Sequence, residues 1–179
     1  MEKTKVINLF GAPGSGKSTG AAYIFSQLKM KGINCEIVTE YAKDRVWQKD
    51  FEVFKNQFYV AAKQSLRMSR LKENVEVIIT DSPVAMAGYY SQQVVYYKHY
   101  FEVLKAIHAE YENYDCFISR VKAYNPSGRF QTEEQANVMH KEIETYALGI
   151  NNVLHYYDGD IAGYDRLIKD WLNKYEVVK

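Results

Sequence analysis

Val6-Ile7-Asn8-Leu9-Phe10-Gly11-Ala12-Pro13-Gly14-Ser15-Gly16-Lys17-Ser18-Thr19 opens on an apolar run, breaks into a glycine-rich turn and resumes as a helix former. The run Val6 to Phe10 has the length of a buried strand, and the turn ends it at once. From Lys17 to Lys31, Ala21, Ala22, Ile24, Phe25 and Leu28 fall on one side of a helix, with Gly32 placed to stop it. Between strand and helix, Gly11 to Ser18 satisfies G-x-x-x-x-G-K-[ST] in full. Glycines let backbone N–H groups turn inward around phosphate oxygens, and the following helix aims its positive end at the same point. Lys17 can reach the outer phosphates and Ser18 can ligate Mg²⁺. Gly11, Ala12, Pro13, Gly14, Ser15, Gly16, Lys17, Ser18 and Thr19 are therefore the candidate triphosphate-binding residues, with a nucleoside triphosphate and Mg²⁺ as the expected ligands.

Working outward, strand and helix signals alternate. Cys35 to Thr39 is a second strand, a long helical stretch spans about 53–71, and Val75 to Thr80 is the clearest strand. Pro83 suits the first turn of a helix. Phe101 to Tyr111 is helical and Asp115 to Ser119 is a fourth strand. Thr132-Glu133-Glu134-Gln135 is a capping box for a helix running toward Leu148, with Gly149 as its stop. Val153 to Tyr157 is a weaker fifth strand and Tyr164 to Lys174 a closing helix. Such alternation predicts βαβ units and a covered parallel sheet, an α/β fold. Ligands of these sheets lie beyond the carboxyl ends of the strands.

The 179 residues fit one domain, 1–179, with no linker or repeat. With 23 basic and 22 acidic residues the net charge is +1, so no global field points to nucleic acid or anionic lipid. Cys35 and Cys116 are too few for a disulfide framework and lack metal spacing. They are expected as buried thiols in a reducing cytoplasm. No stretch is apolar for long enough to span a membrane, and the first residues carry no signal-peptide pattern.

Three further strand ends carry candidate chemistry. Asp81 closes the third strand, where a carboxylate can serve Mg²⁺; the alternative is an N-cap for the segment opening at Pro83. Ser82 follows it instead of the Glu that water-activating ATPases place there, which counts against a motor. Glu40 ends the second strand and could accept a proton from a substrate hydroxyl, or be a solvated carboxylate. Together with Tyr41 and Arg45 it forms the candidate acceptor-side set. After the fourth strand, Arg120 to Arg129 holds three cations, no carboxylate and two turn signals. A basic lid at about 120–131 bearing Arg120 and Arg129 could close over phosphates.

VINLFGAPGSGKST, IVTEYAKD (37–44), IITDSP (78–83) and RVKAYNPSGRFQTEEQA (120–136) resemble the small P-loop kinase-like proteins of bacteriophages. That family is grouped with the kinase domain of bifunctional nicotinamide-riboside kinases. The resemblance runs over essentially the whole chain and implies a three-layer, nucleotide-kinase-like P-loop fold. It further implies a five-stranded parallel sheet in the order 2-3-1-4-5 and ATP-dependent phosphoryl transfer. On this sequence it implies that Lys17 and Ser18 hold phosphate and Mg²⁺, Asp81 serves the metal, Arg120 and Arg129 are lid arginines, and Glu40 lies on the acceptor side. Ala123 departs from the Pro common in relatives, which loosens the lid without changing its charge.

The acceptor is approached through charge. Residues 41–72 hold eight cations and three acids, whereas 133–179 hold five cations and nine acids. A basic acceptor side suits a substrate that already carries phosphate. The tyrosine-rich run 89–100 could stack on bases, though packing is the commoner role for Tyr. His99 and His108 in the same region are expected to be structural. Three readings remain open: a kinase of a free nucleoside or nucleotide, a kinase of a hydroxymethylated base within DNA (the 5-hydroxymethyluracil DNA kinases of phages are similar too), and an ATP-binding regulatory module. Monomer and homodimer are equally compatible with the sequence, as are ATP and GTP.

Overall fold

The computed structural model describes residues 3–125 and 131–176. A five-stranded parallel sheet runs in the order β2-β3-β1-β4-β5. Its strands are β1 (Lys5–Phe10), β2 (Cys35–Val38), β3 (Val77–Thr80), β4 (Glu112–Ser119) and β5 (His155–Asp158). The order is the one implied by the resemblance. β1 lies at the centre, pairing with β3 through Ile7↔Ile79 and with β4 through Leu9↔Cys116. β3 is buried at all four positions, as a central parallel strand covered on both faces should be.

Helices α1 (Lys17–Met30) and α7 (Ile161–Lys174) cover one face. There Ile24, Leu28, Leu167 and Trp171 pack against Ile7, Leu9, Ile79 and Ile118. On the other face lie α3 (Gln57–Ser69), α4 (Met86–Tyr89), α5 (Tyr97–His108) and α6 (Glu133–Asn151). Val6, Val38 and Ile78 meet Ala61, Met68 and Leu104 there, while Phe10 and Phe117 meet Ile143 and Ala147. Both cysteines are free and buried, as expected. Among the described residues no helix is long and apolar enough to cross a membrane.

Several boundaries differ from expectation for identifiable reasons. The stretch 53–71 is not one helix: a 3-10 turn at Glu52–Lys55 is broken off at Asn56, whose side chain accepts from Tyr59 N at 3.1 Å and caps α3. A helix immediately after the second strand, α2 (Tyr41–Trp47), was not expected, because no side-chain cap announces it. Gly149 does not stop α6, which continues to Asn151 and ends on Asn152 in the left-handed conformation, φ +55°. At its other end the Thr132–Gln135 capping box is formed in both directions. α7 starts three residues before the expected Tyr164 because Asp160 accepts from Gly163 N at 2.8 Å.

The face toward α5 and α6 also buries a polar cluster. Asp115, 2% exposed, accepts from Asn8 Nδ2 at 2.8 Å and from Asn151 Nδ2 at 3.0 Å, and lies 3.0 Å from His108 Nε2. His108 is therefore structural, tying α5 to β4. Replacing Asp115 by Ala takes the acceptor from buried Asn8 and His108 and from Asn151, and is expected to destabilise the fold by about 3 kcal/mol. In urea denaturation the midpoint should fall with the slope unchanged; a midpoint equal to that of the parent would show that the cluster carries no stability.

Candidate active site at the carboxyl edge of the sheet

The carboxyl ends of all five strands face one crevice, and the loop after β1 forms its floor. Gly16 caps α1 with φ +103°, and the first turn of α1 holds no acidic residue, so its positive end is uncompensated. Lys17 Nζ donates to the carbonyls of Gly11 at 2.7 Å and Ala12 at 3.0 Å, arching over the loop. Ser15 is buried, and its hydroxyl has no hydrogen-bond partner. Ser18 and Thr19 are exposed in the first turn of α1.

Asp81 ends β3 at 6% exposure with one carboxylate oxygen unpartnered. It caps no helix: α4 begins at Met86, and the turn is closed by Ser82 N donating to Thr80 Oγ1 at 3.1 Å. The capping alternative for Asp81 is thereby removed, as is a helix opening directly at Pro83. A buried carboxylate oxygen left without a donor is costly unless a cation or ligand satisfies it. Among the described residues no three His, Cys, Asp or Glu gather into a metal cage. Mg²⁺ sites of nucleotide enzymes need none, since one carboxylate, a hydroxyl and phosphate oxygens suffice. Ser18 and Asp81 fit that pattern.

Glu40 stands at the head of α2 without capping it. Burial raises its carboxyl above the ordinary range; Lys17 opposes the shift and Asp81 reinforces it. The three groups expected from three separate motifs are thus within each other's electrostatic reach. Gln64, buried on α3, holds the Glu40 turn by accepting from Tyr41 N at 2.9 Å and donating to Thr39 O at 3.3 Å. Tyr41 lies between two guanidinium groups, Arg45 at 5.0 Å and Arg67 at 5.2 Å from its ring centroid. Arg67 also donates to Thr39 O at 3.1 Å and pairs with Asp44, while Arg45 lies 3.9 Å from Asp50. Gln64 and Arg67 were missed in the sequence; a Gln in line with Val60, Ala61 and Met68 on the buried side of α3 was the available signal.

Beyond β4, Arg120 donates to Glu133 at 2.5 Å and Asn137 at 2.6 Å, both on α6, and stacks over Tyr124 at 5.4 Å. Tyr124 lies against Gly14: a Cβ there would stand 3.0 Å from its ring. Arg120, expected as a lid arginine, is thus held beside the phosphate loop by a carboxylate from outside the 120–129 segment. Arg129 lies outside the described residues. Gly159, after β5, comes closest of all to the loop, since a Cβ on it would stand 2.0 Å from Ser15 O and 2.9 Å from Ser119 O. Tyr164 completes that wall by donating to Gly16 O at 3.0 Å.

Of the tyrosine run, Tyr100 is buried and donates to Gln57 O, and Tyr89 donates to Glu142 at 2.6 Å. These two pack. Tyr90 is 49% exposed, and its phenol is pushed up to about 12 by burial of the hydroxyl end and by the charge of Glu40.

No family model matches the sequence, and no curated protein matches it. Solved structures do match. NadR protein in complex with NR superposes with a TM-score of 0.71 at 17% identity over 98% of this chain. The chain spans about half of that protein, 52%. Deoxyadenosine kinase from M. mycoides with bound dATP gives 0.61 at 22% identity, over 94% of this chain and 99% of that one. Shikimate kinase from Bacteroides thetaiotaomicron gives 0.52 at 8%, over 98% and 99%. The chain has the fold of the P-loop kinases. At these identities the likeness describes the scaffold.

Two outcomes are expected. Gly159→Ala forces a methyl into backbone atoms that cannot yield, so it should weaken ATP binding at least tenfold and cost about 1–3 kcal/mol of stability. Calorimetric ATP titration with thermal melting checks this; unchanged ATP affinity would contradict the contact. Glu40→Gln should stabilise the protein. Because the folded-state carboxyl is raised, its contribution is fully present below the unfolded-state value and is lost as pH rises through the folded-state value. The Gln variant should melt higher than the parent at about pH 8 and lose that advantage by about pH 4. An advantage that persists at low pH would contradict the assignment.

Proposed function

We propose that this chain is an ATP- and Mg²⁺-dependent phosphotransferase that moves the γ-phosphate to a hydroxyl of a nucleoside- or nucleotide-type acceptor. The observation that carries this is the convergence of Lys17, Asp81 and Glu40 on one crevice, with the Glu40 carboxyl raised by burial and by Asp81. A raised carboxylate facing the phosphate loop is suited to general-base work near neutral pH. Backbone N–H groups of residues 11–16 and the head of α1 bind the phosphates, and Lys17 swings from its own loop carbonyls onto them. Ser18 and Asp81 would hold Mg²⁺, which supplies charge neutralisation on the phosphates. Glu40 takes the acceptor proton as the new O–P bond forms and the bond to the β–γ bridging oxygen breaks. Arg120, poised beside Gly14, adds positive charge at the departing phosphate. The residue after Asp81 is Ser82, with no carboxylate to activate water, so transfer to an acceptor is favoured over hydrolysis.

A second acceptor, a hydroxymethylated base within DNA, is favoured by one surface. Trp47 (73% exposed), Phe51, Phe58 (55%) and Tyr59 stand out to solvent on the segment after Glu40. Lys49, Lys63 and Arg70 on the same segment form no salt bridge among the described residues, and Lys63 lies over the Tyr59 ring at 5.3 Å. Exposed rings among cations suit stacked bases and a phosphate backbone. The near-neutral net charge keeps the free acceptor ahead.

The deciding assay gives the protein γ-labelled ATP and Mg²⁺ against free nucleosides and monophosphates, and separately against DNA with ordinary or 5-hydroxymethylated pyrimidines. Label should appear on a member of the first panel and fall about 100-fold or more in Lys17→Ala and Asp81→Ala. Label on hydroxymethylated DNA alone would give the second reading. ATP binding without label on either panel would overturn both and leave an ATP-binding module.

A further inference from the structure

Between the 89–97 segment and α6 lies a cavity of about 1030 Å³ that none of the chemistry above uses. Its size is that of a small-molecule site. Tyr90, Tyr97, Tyr146 and Met139 supply flat or apolar walls, and Gln93 and Gln131 supply amides. We infer that this cavity receives the heterocyclic base of the acceptor, with its sugar hydroxyl directed to Glu40; this rests on the phosphotransferase reading.

Position carries the first part of the argument. Tyr90 belongs both to the cavity wall and to the electrostatic surroundings of Glu40. At the other end Gln131 accepts from the Tyr124 hydroxyl at 2.5 Å, and Tyr124 covers Gly14 of the phosphate loop. Two wall residues therefore link the cavity to the site, Tyr90 through the charge of Glu40 and Gln131 through its backbone carbonyl on the Tyr124 hydroxyl.

Chemistry carries the second part. The charged lining groups are Lys141 and Glu142, and Glu142 is already held by the Tyr89 hydroxyl. A phosphate would find a single cation beside a carboxylate, which is a poor anion site. A bare sugar would leave the exposed Tyr90 ring and the half-buried Tyr97 ring uncovered at the mouth, while Tyr146, buried against Tyr89 and Phe101, backs the wall. A planar nitrogen heterocycle stacks on those rings, and side-chain amides present the adjacent donor and acceptor that base edges require. Tyr146 is fixed in place by donating to Ala85 O at 2.6 Å, so that wall is rigid. The Tyr90 hydroxyl makes no hydrogen bond to a described residue, unlike Tyr89, Tyr100 and Tyr146.

The test measures binding without turnover. Nucleosides carrying each common base, and ribose 5-phosphate as a base-less probe, are titrated calorimetrically in the presence of a non-hydrolysable ATP analogue. Tyr90→Leu removes a wall, and Thr145→Trp fills the cavity from an exposed position on α6 that the fold tolerates. At least one nucleoside should bind more tightly than ribose 5-phosphate and lose tenfold or more in affinity in both variants, with affinity for the ATP analogue unchanged. Nucleoside affinity within twofold of the parent in both variants would overturn the inference, while label transfer to nucleosides would keep the phosphotransferase reading intact. Ribose 5-phosphate binding as tightly as every nucleoside would overturn it too. No binding and no labelling of any nucleoside, with the ATP analogue still bound, would remove the acceptor class and the cavity assignment together.

Discussion

The bare backbone of residues 11–16 is the constraint around which the rest of the site is arranged. A loop that offers N–H groups to phosphate has no side chains with which to brace itself, so its neighbours must brace it. Gly159 lies on Ser15 from the β5 side, Tyr164 holds Gly16 O, and Tyr124 lies against Gly14 from the lid. The contacts reach different parts of the loop, two from the end of β5 and one from the end of β4. The parallel sheet makes this convergence possible, because it delivers five carboxyl ends to one edge.

The same edge divides electrostatically. Around the glycine-rich loop stand the head of α1, Lys17 and Arg120; after β2 stands Glu40, within electrostatic reach of Asp81. Burial and the charge of Asp81 disfavour ionisation of Glu40, and Lys17 limits the effect. A carboxylate kept in this balance is destabilising to the fold and useful to proton transfer. Gln64 and Arg67 hold the turn in which it sits, so α3 supports this turn much as α7 supports the glycine-rich loop.

Much of this was legible in the residues. The P-loop was complete in one contiguous motif, and the apolar runs of β1 and β3 fixed the central strands. Asp81 and Glu40 were readable because they end strands. What escaped reading depends on contacts between distant parts of the chain. No motif around Gly159 announces its contact with Ser15, which lies far away in the chain. Arg120 was legible as a cation, but its partner Glu133 lay beyond the loop that seemed to lack carboxylates. The break at Asn56 and the helix at Tyr41 went unread because the first relies on a local side-chain cap inside a helix-like pattern and the second has no cap at all.

Helix α6 joins the two ends of the molecule. Its capping box and the Arg120 pair lie at the lid, and Asn151, one residue from its end, is bonded to buried Asp115 near the opposite edge of the sheet. Nineteen residues at the helical rise make a rod of about 28 Å. Arg120 bonds to Glu133 and Asn137 at the first turn and Asp115 accepts from Asn151 at the last, so residues of β4 and of the loop after it grip this helix at both ends and neither end is left to fray alone.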